Sequence, residues 1–202
     1  MEGELKMGKA GNTGVTSNTP KNTFLGAGTI HKGLKYEGSK WNFEESLVGA
    51  TSGGNKLSIV PEITSIEADG ALVKAKGLDA KQGEKALMEL NMLELTEELI
   101  EKALFAKDGK STDENYNLIE SKANIEEGDY LENIAFVGKN MEGKNIIVIL
   151  DNALCTSGLE VEGKNKEGSV VKYTFECTAD LTSDLQTLPW HIYYPKAVTP
   201  AG

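Results

Sequence analysis

Residues 129–152, DYLENIAFVGKNMEGKNIIVILDN, constrain the fold more than any other stretch of this chain. In the first half, Tyr130, Ile134 and Phe136 alternate with polar Glu132 and Asn133, the pattern of a half-exposed strand. The second half, residues 146–150, is an unbroken apolar run of Ile, Ile, Val, Ile and Leu. Such a run is too short for a typical globular helix, and Ile and Val favour the pleat, so it predicts a central strand buried on both faces. The short connection at residues 139–143 ends in glycine and closes the two as a hairpin. A sheet must therefore form the core, with the other segments packed onto it.

Several further segments read as strands. Residues 23–35 look like a strand interrupted by glycine. In residues 56–68, Leu57, Ile59, Ile63 and Ile66 are apolar, and Pro61 places the strand at an edge or a bulge. Asp69-Gly70 then predicts a turn into a strand at residues 71–74. Residues 85–94 set Ala86, Met88, Leu90 and Met92 against Glu89 and Asn91. Residues 116–119 form one more candidate, residues 159–162 and 169–177 a second hairpin, and residues 188–195 a proline turn into an aromatic last strand. One helix is predicted over residues 96–105. Thr96 is its N-cap, Glu97 and Glu98 complement the dipole, Leu95 can staple onto Ile100, and Leu99, Ile100, Ala103 and Leu104 make the face meant for the sheet. The predicted class is mainly β, an antiparallel β-sandwich or barrel with one short flanking α-helix and no internal repeat. The predicted organisation is an extended N-terminal arm (residues 1–22), one β domain (residues 23–195) and a C-terminal tail (residues 196–202).

Charge narrows the function. The 202 residues carry a formal charge of −10, and all 21 basic residues are lysine. Arginine is the usual reader of guanine edges and the usual phosphate clamp, so an acidic chain without it makes a poor nucleic-acid binder. The first 40 residues hold six lysines against three glutamates, whereas the remainder has 28 acidic residues and 15 lysines. The polar, lysine-bearing segment 1–22 cannot bury enough surface to fold alone, and reads as a basic arm for an acidic body, including that of another copy. No apolar run approaches a membrane span, and no apolar h-region opens the chain, so neither a membrane anchor nor a signal peptide is expected and synthesis reads as cytosolic. In that compartment Cys155 and Cys177 read as reduced buried thiols, with a disulfide as the alternative.

No motif for chemistry survives inspection. The stretch GATSGGNK at residues 49–56 resembles a phosphate loop, but Asn55 separates the second glycine from Lys56, and Leu57 stands where Ser or Thr is needed. The acidic segment 108–120 places Lys110, Thr112 and Asp113 where a calcium loop needs oxygen ligands and a glycine, so it reads as solvated loop. His31 and His191 are the only histidines, and neither has a Cys or Glu at metal-ligand spacing. There is no G-x-S-x-G elbow, and Cys155 has no adjacent histidine. The sequence predicts no enzyme, no cofactor and no catalytic, cofactor-binding or metal-binding residue.

Three stretches together resemble the major tail tube proteins of long-tailed (siphophage-type) bacteriophages: GATSGGNKLSIVPEITSIEADGA (residues 49–71), MLELTEELIEKAL (residues 92–104) and VVKYTFECTADLTSDLQTLPWHIYYP (residues 170–195). The resemblance spans about residues 23–195 and lies in structural rather than catalytic signatures. It implies a virion structural protein, a β-sandwich or barrel with one flanking helix, that self-assembles into rings, usually hexameric, stacked into the tail tube through which DNA is ejected. The implied partners are copies of the chain itself and other tail proteins such as the tape measure and tail terminator. DNA would pass without specific binding. The implied locations are the virion tail and, during assembly, the bacterial host cytoplasm. Ring-to-ring contacts would come from the N-terminal arm and the loop at residues 41–54. Two other classes compete. A carbohydrate-binding or adhesive β-sandwich would use Trp41, Trp190, Tyr193 and Tyr194 as a stacking platform. An enzyme would need a cavity joining His31 or His191 to carboxylates.

Overall fold

The computed structural model describes residues 14–163, 165 and 168–196. Most of the expected N-terminal arm (residues 1–13) and of the tail (residues 197–202) lies outside the described residues. In chain order the elements are α1 (Thr19–Asn22), β1 (Phe24–Lys32), β2 (Tyr36–Glu37), β3 (Lys40–Trp41), α2 (Phe43–Ser46), β4 (Lys56–Ser65), β5 (Asp79–Met92), α3 (Glu97–Leu104), β6 (Ala106–Gly109), β7 (Leu118–Ser121), β8 (Leu131–Asn140), β9 (Asn145–Cys155), β10 (Val171–Cys177) and β11 (Trp190–Tyr193), with a 3-10 turn at Glu127–Asp129. The protein is mainly β, as expected. Seven strands form one antiparallel sheet, curled into a half-barrel, in the order β1-β8-β9-β10-β5-β4 with β11 also paired to β9.

The 129–152 hairpin is the middle of this sheet. Its register runs from Leu131↔Ala153 to Lys139↔Asn145. The other edge of β9 is shared. Trp190–Tyr193 of β11 pair with residues 147–150, and β10 pairs with residues 153–155. The change of partner falls at Asn152, which takes a left-handed backbone (φ 48°) that Asn tolerates better than bulkier residues. That bend lets one strand serve two neighbours and helps the sheet curl.

Both faces of the hairpin are buried, β8 included, which corrects its half-exposed reading. Ile134, Phe136 and Leu150 belong to the larger core with Met88, Leu90, Tyr173 and Phe175. Ala135, Val137, Ile147 and Ile149 face a second, smaller core closed by Leu34, Trp41 and Phe43. The polar context of Trp41 and Phe43 hid the fact that residues 34–46 fold back as a flap over the second face.

Other expectations shift. Residues 71–74 form no strand, because β4 pairs with β5 from Lys56↔Glu89 to Ser65↔Asp79 across a long connection at residues 66–78. Leu72 and Val73 find no face to bury there. Residues 159–162 are not a strand either: β10 lies between β5 and the end of β9, so the pair it would make with 159–162 is replaced. The strand expected at residues 116–119 is β7, displaced to Leu118–Ser121 and paired with β6. Of the extended arm, Thr19–Asn22 forms a helical turn. The edge assignment for Pro61 holds, with a bulge beside it at Glu62/Ile63.

The α3 cap forms as predicted, with the Thr96 side chain accepting from the Leu99 N–H. Leu99 and Ala103 are buried, Ile100 is half-buried, but Leu104 is 47% exposed. The chain turns left-handed at Phe105, one residue after Leu104, so the last helical turn leaves the sheet before Leu104 can pack. Lys32 pairs with Glu98, and Lys102 donates to the Gly128 carbonyl, which ties α3 to the ends of β1 and β8 away from the 141–144 turn.

Candidate assembly surfaces

The two histidines have different surroundings. His31 is buried on β1, its Nδ1 2.9 Å from Ser46 Oγ and its Nε2 2.8 Å from Thr29 Oγ1. The Ser46 hydroxyl donates to the Asn42 carbonyl at 2.8 Å, so its oxygen accepts from Nδ1–H, and Nε2 accepts from Thr29. Burial lowers the His31 pKa below its ordinary value and keeps the ring neutral. A hollow of about 520 Å³ runs past His31 and Glu44, but both ring nitrogens are already engaged with structural hydroxyls. His191 pairs with Asp151 at 3.0 Å, and burial raises the Asp151 carboxyl while His191 opposes the rise. Cys155 and Cys177 are free and buried, and burial pushes the Cys177 thiol up to about 12, far from a thiolate nucleophile.

The four-aromatic platform is also broken up. Tyr193 meets Trp41 edge-on at 4.8 Å, and Trp41 meets Tyr36 at 5.3 Å, all beside the second core. Trp190 packs into the larger core and donates Nε1–H to Glu84 at 3.0 Å, on the opposite face of the sheet. The 41–54 loop is tied to the end of β5, with Leu93 N–H donating to the Ala50 carbonyl and Ser52 N–H to the Asn91 carbonyl, while Glu44, Glu45, Leu47, Ala50, Ser52 and Gly53 stay exposed.

One grouping escaped the sequence reading. Glu97 and Glu101 sit one helical turn apart, and the left-handed turn at Phe105 brings Asp108 to them, so that ligand oxygens of all three lie within 4.8 Å. Burial first, then a hydrogen bond to Asp108 and its charge, raise the Glu101 pKa. The Glu97/Glu101 spacing was legible; the return of Asp108 was not. Exposed acidic groups of this kind are common without an ion.

The distinctive surface is the outer edge of the sheet. β4 pairs only with β5 and leaves its other backbone edge open among the described residues. On one face Leu57 and Ile59 pack against the larger core, but the alternation continues past the body through Pro61 and Ile63. Val60, Ile63, Ile66, Leu72 and Val73 are all exposed, Ile63 at 61%, Val73 at 81% and Leu72 at 99%. The opposite edge differs. β1 is partly shielded by its own chain, with Val48 N–H donating to the Ile30 carbonyl and an isolated bridge His31↔Leu47. The two edge strands run in opposite directions, since five successive antiparallel pairings connect one to the other along the path.

No family model matches this chain, and no curated protein matches it. Among solved structures, a match of 12% identity, titled "Crystal structure of Hcp protein", covers 73% of this chain and 85% of that one with a TM-score of 0.32. A likeness that loose supports no residue correspondence.

Proposed function

We propose that this chain is a structural protein that assembles with copies of itself into stacked rings forming a hollow tube. The observation that carries the reading is the β4–β5 hairpin, which offers an open ten-residue edge and a run of exposed apolar side chains beyond the body. Open edges pair in trans, and exposed apolar patches mark contacts. Because β4 and β1 run oppositely, β4 of one copy set against the β1 side of the next would continue the antiparallel alternation, a head-to-tail contact that closes into a ring when the rotation fits.

The finer reading follows the sequence resemblance: a major tail tube protein of a long-tailed phage, in rings of six, meeting the tape measure and tail terminator, located in the virion and in the host cytoplasm during assembly. On this reading the protein is not an enzyme, and its acidic excess beyond residue 40 keeps ejected DNA from adhering, since few phosphates would be neutralised. Negative-stain microscopy of the purified protein tests it. Rings or tubes, formed without nucleotide and unaffected by chelator, are expected. A chain that sediments only as a 21.8 kDa monomer at every concentration overturns it, and a monomer that binds oligosaccharide supports the adhesive alternative instead.

A further inference from the structure

Three remote parts of the chain meet at the end of the sheet marked by the 141–144 turn. The helical turn α1 brings Lys21, the turn brings Lys144, and the segment after β11 brings Lys196, around a hollow of about 490 Å³. The gathering is fixed by named bonds. Buried Asn140 donates Nδ2–H to the Lys21 carbonyl at 2.9 Å, and its Oδ1 accepts from the Glu142 and Lys144 amides at 3.1 and 2.9 Å. Met141 N–H donates to the Thr23 carbonyl at 3.2 Å, and Tyr194 Oη–H to Asn22 Oδ1 at 3.2 Å. Glu142 is the one carboxylate lining the hollow, 3.6 Å from Lys144. Lys21 and Lys196 make no ion pair among the described residues. A chain of net charge −10 thus gathers a net positive hollow on its surface.

We propose that this lysine hollow is an intermolecular contact that receives carboxylates of a second copy. The inference rests on the self-assembly reading above and deepens it by naming one side of the contact. The partner is argued from charge. Taken together, the residues after the first 40 carry nearly two acidic residues per lysine, so another copy presents acidic surface in abundance. Attraction between a positive hollow and an acidic surface steers encounter and suppresses wrong orientations, which a ring of identical, mutually repelling chains needs. Such a contact weakens with salt, because screening shortens from about 30 Å at 0.01 M to about 3 Å at 1 M.

The test is a triple variant, Lys21→Gln, Lys144→Gln and Lys196→Gln, beside a control triple, Lys107→Gln, Lys110→Gln and Lys172→Gln, which removes the same charge from exposed lysines elsewhere. Sedimentation velocity at low and high salt reads assembly, and circular dichroism confirms that both triples fold. The hollow variant should assemble with an apparent dissociation constant raised about tenfold or more, with its salt dependence flattened. The control should keep the salt dependence of the parent. Equal behaviour of the two triples overturns the inference while leaving self-assembly intact. A parent chain that never assembles overturns the proposed function and this contact with it. If the parent retains duplex DNA in low salt and only the hollow triple releases it, the occupant is a nucleic-acid phosphate and the inference is wrong.

Discussion

Two long antiparallel hairpins in this protein meet opposite fates. β8–β9 and β4–β5 pair over comparable lengths, and by register their turns lie toward the same end of the sheet. Yet the first is buried on both faces between two cores, and the distal half of the second is largely exposed, with all of residues 60–65 exposed and only Ala80, Gly83 and Glu84 half-buried in the facing strand. Backbone pairing is therefore not what distinguishes core from surface here. A strand becomes core when other elements cover its side chains, and β8–β9 is covered by α3, β5 and β10 on one face and by the 34–46 flap on the other. Among the described residues, the distal end of the β4–β5 hairpin beyond Glu84 is left largely uncovered, although its side chains include Ile63, Ile66, Leu72 and Val73.

The sharpest contrast comes from truncating one apolar side chain in each hairpin. Leu150→Ala removes a fully buried residue and should cost about 2–5 kcal/mol in urea unfolding. Ile63→Ala should cost below about 0.5 kcal/mol. Equal losses would mean that the distal hairpin is packed as a core, and the comparison fails.

Close packing inside the buried hairpin gives the next effect. Gly138 lies beneath the Phe24 ring, which stacks on Phe136 at a centroid distance of 5.4 Å, and a Cβ at 138 would collide with that ring. Gly138→Ala should cost about 1–3 kcal/mol as Phe24 is displaced. Gly53→Ala would confuse the test because of its positive φ, so Gly163, whose added Cβ meets nothing, is the control.

The covered second face also carries a pH dependence. His31 has a lowered folded pKa because of burial, so the native state favours the neutral ring. Stability from this group is fully present above its unfolded pKa of about 6.5 and is lost as pH falls below that value toward the folded pKa. Unfolding followed by tryptophan fluorescence should show falling stability through this window, and His31→Gln should flatten the change. A parent profile identical to that of the variant would remove His31 as its source.

Much of the buried hairpin was legible in the sequence, because residues 146–150 admit few alternatives to a strand. The cap at Thr96 and the edge position of Pro61 were legible for the same reason: each depends on local chemistry. The flap was not, since Trp41 and Phe43 sit among polar neighbours and their partners, Ala135 and Ile149, are remote in sequence. Leu104 fits the helical stripe, yet it is exposed because the chain leaves the helix at Phe105. Leu104→Ala should therefore cost less than about 0.5 kcal/mol, against about 2–5 kcal/mol for Leu99→Ala. The lysine hollow joins residues 21, 144 and 196, a proximity that no local pattern announces.

The smallest effect on folding should come from the tip of the projecting hairpin, and it separates the two hairpins by role. Leu72 has lost almost none of its accessible surface and Val73 only a minor part, so replacing both with serine removes little buried apolar area. The expected change in unfolding free energy is within about 0.5 kcal/mol, with an unaltered dependence on denaturant, because neither the folded nor the unfolded surface changes much. Association is a different matter. Two large apolar side chains held at a turn are costly to leave in water and become favourable contacts only where another surface covers them. The double variant should remain folded yet form fewer or shorter polymers, measured by light scattering and negative-stain lengths on the same preparations. A loss of stability above about 1 kcal/mol would mean that the tip packs against its own chain. Unchanged stability with unchanged polymers would free the tip from any contact and leave the open β4 edge to carry assembly alone.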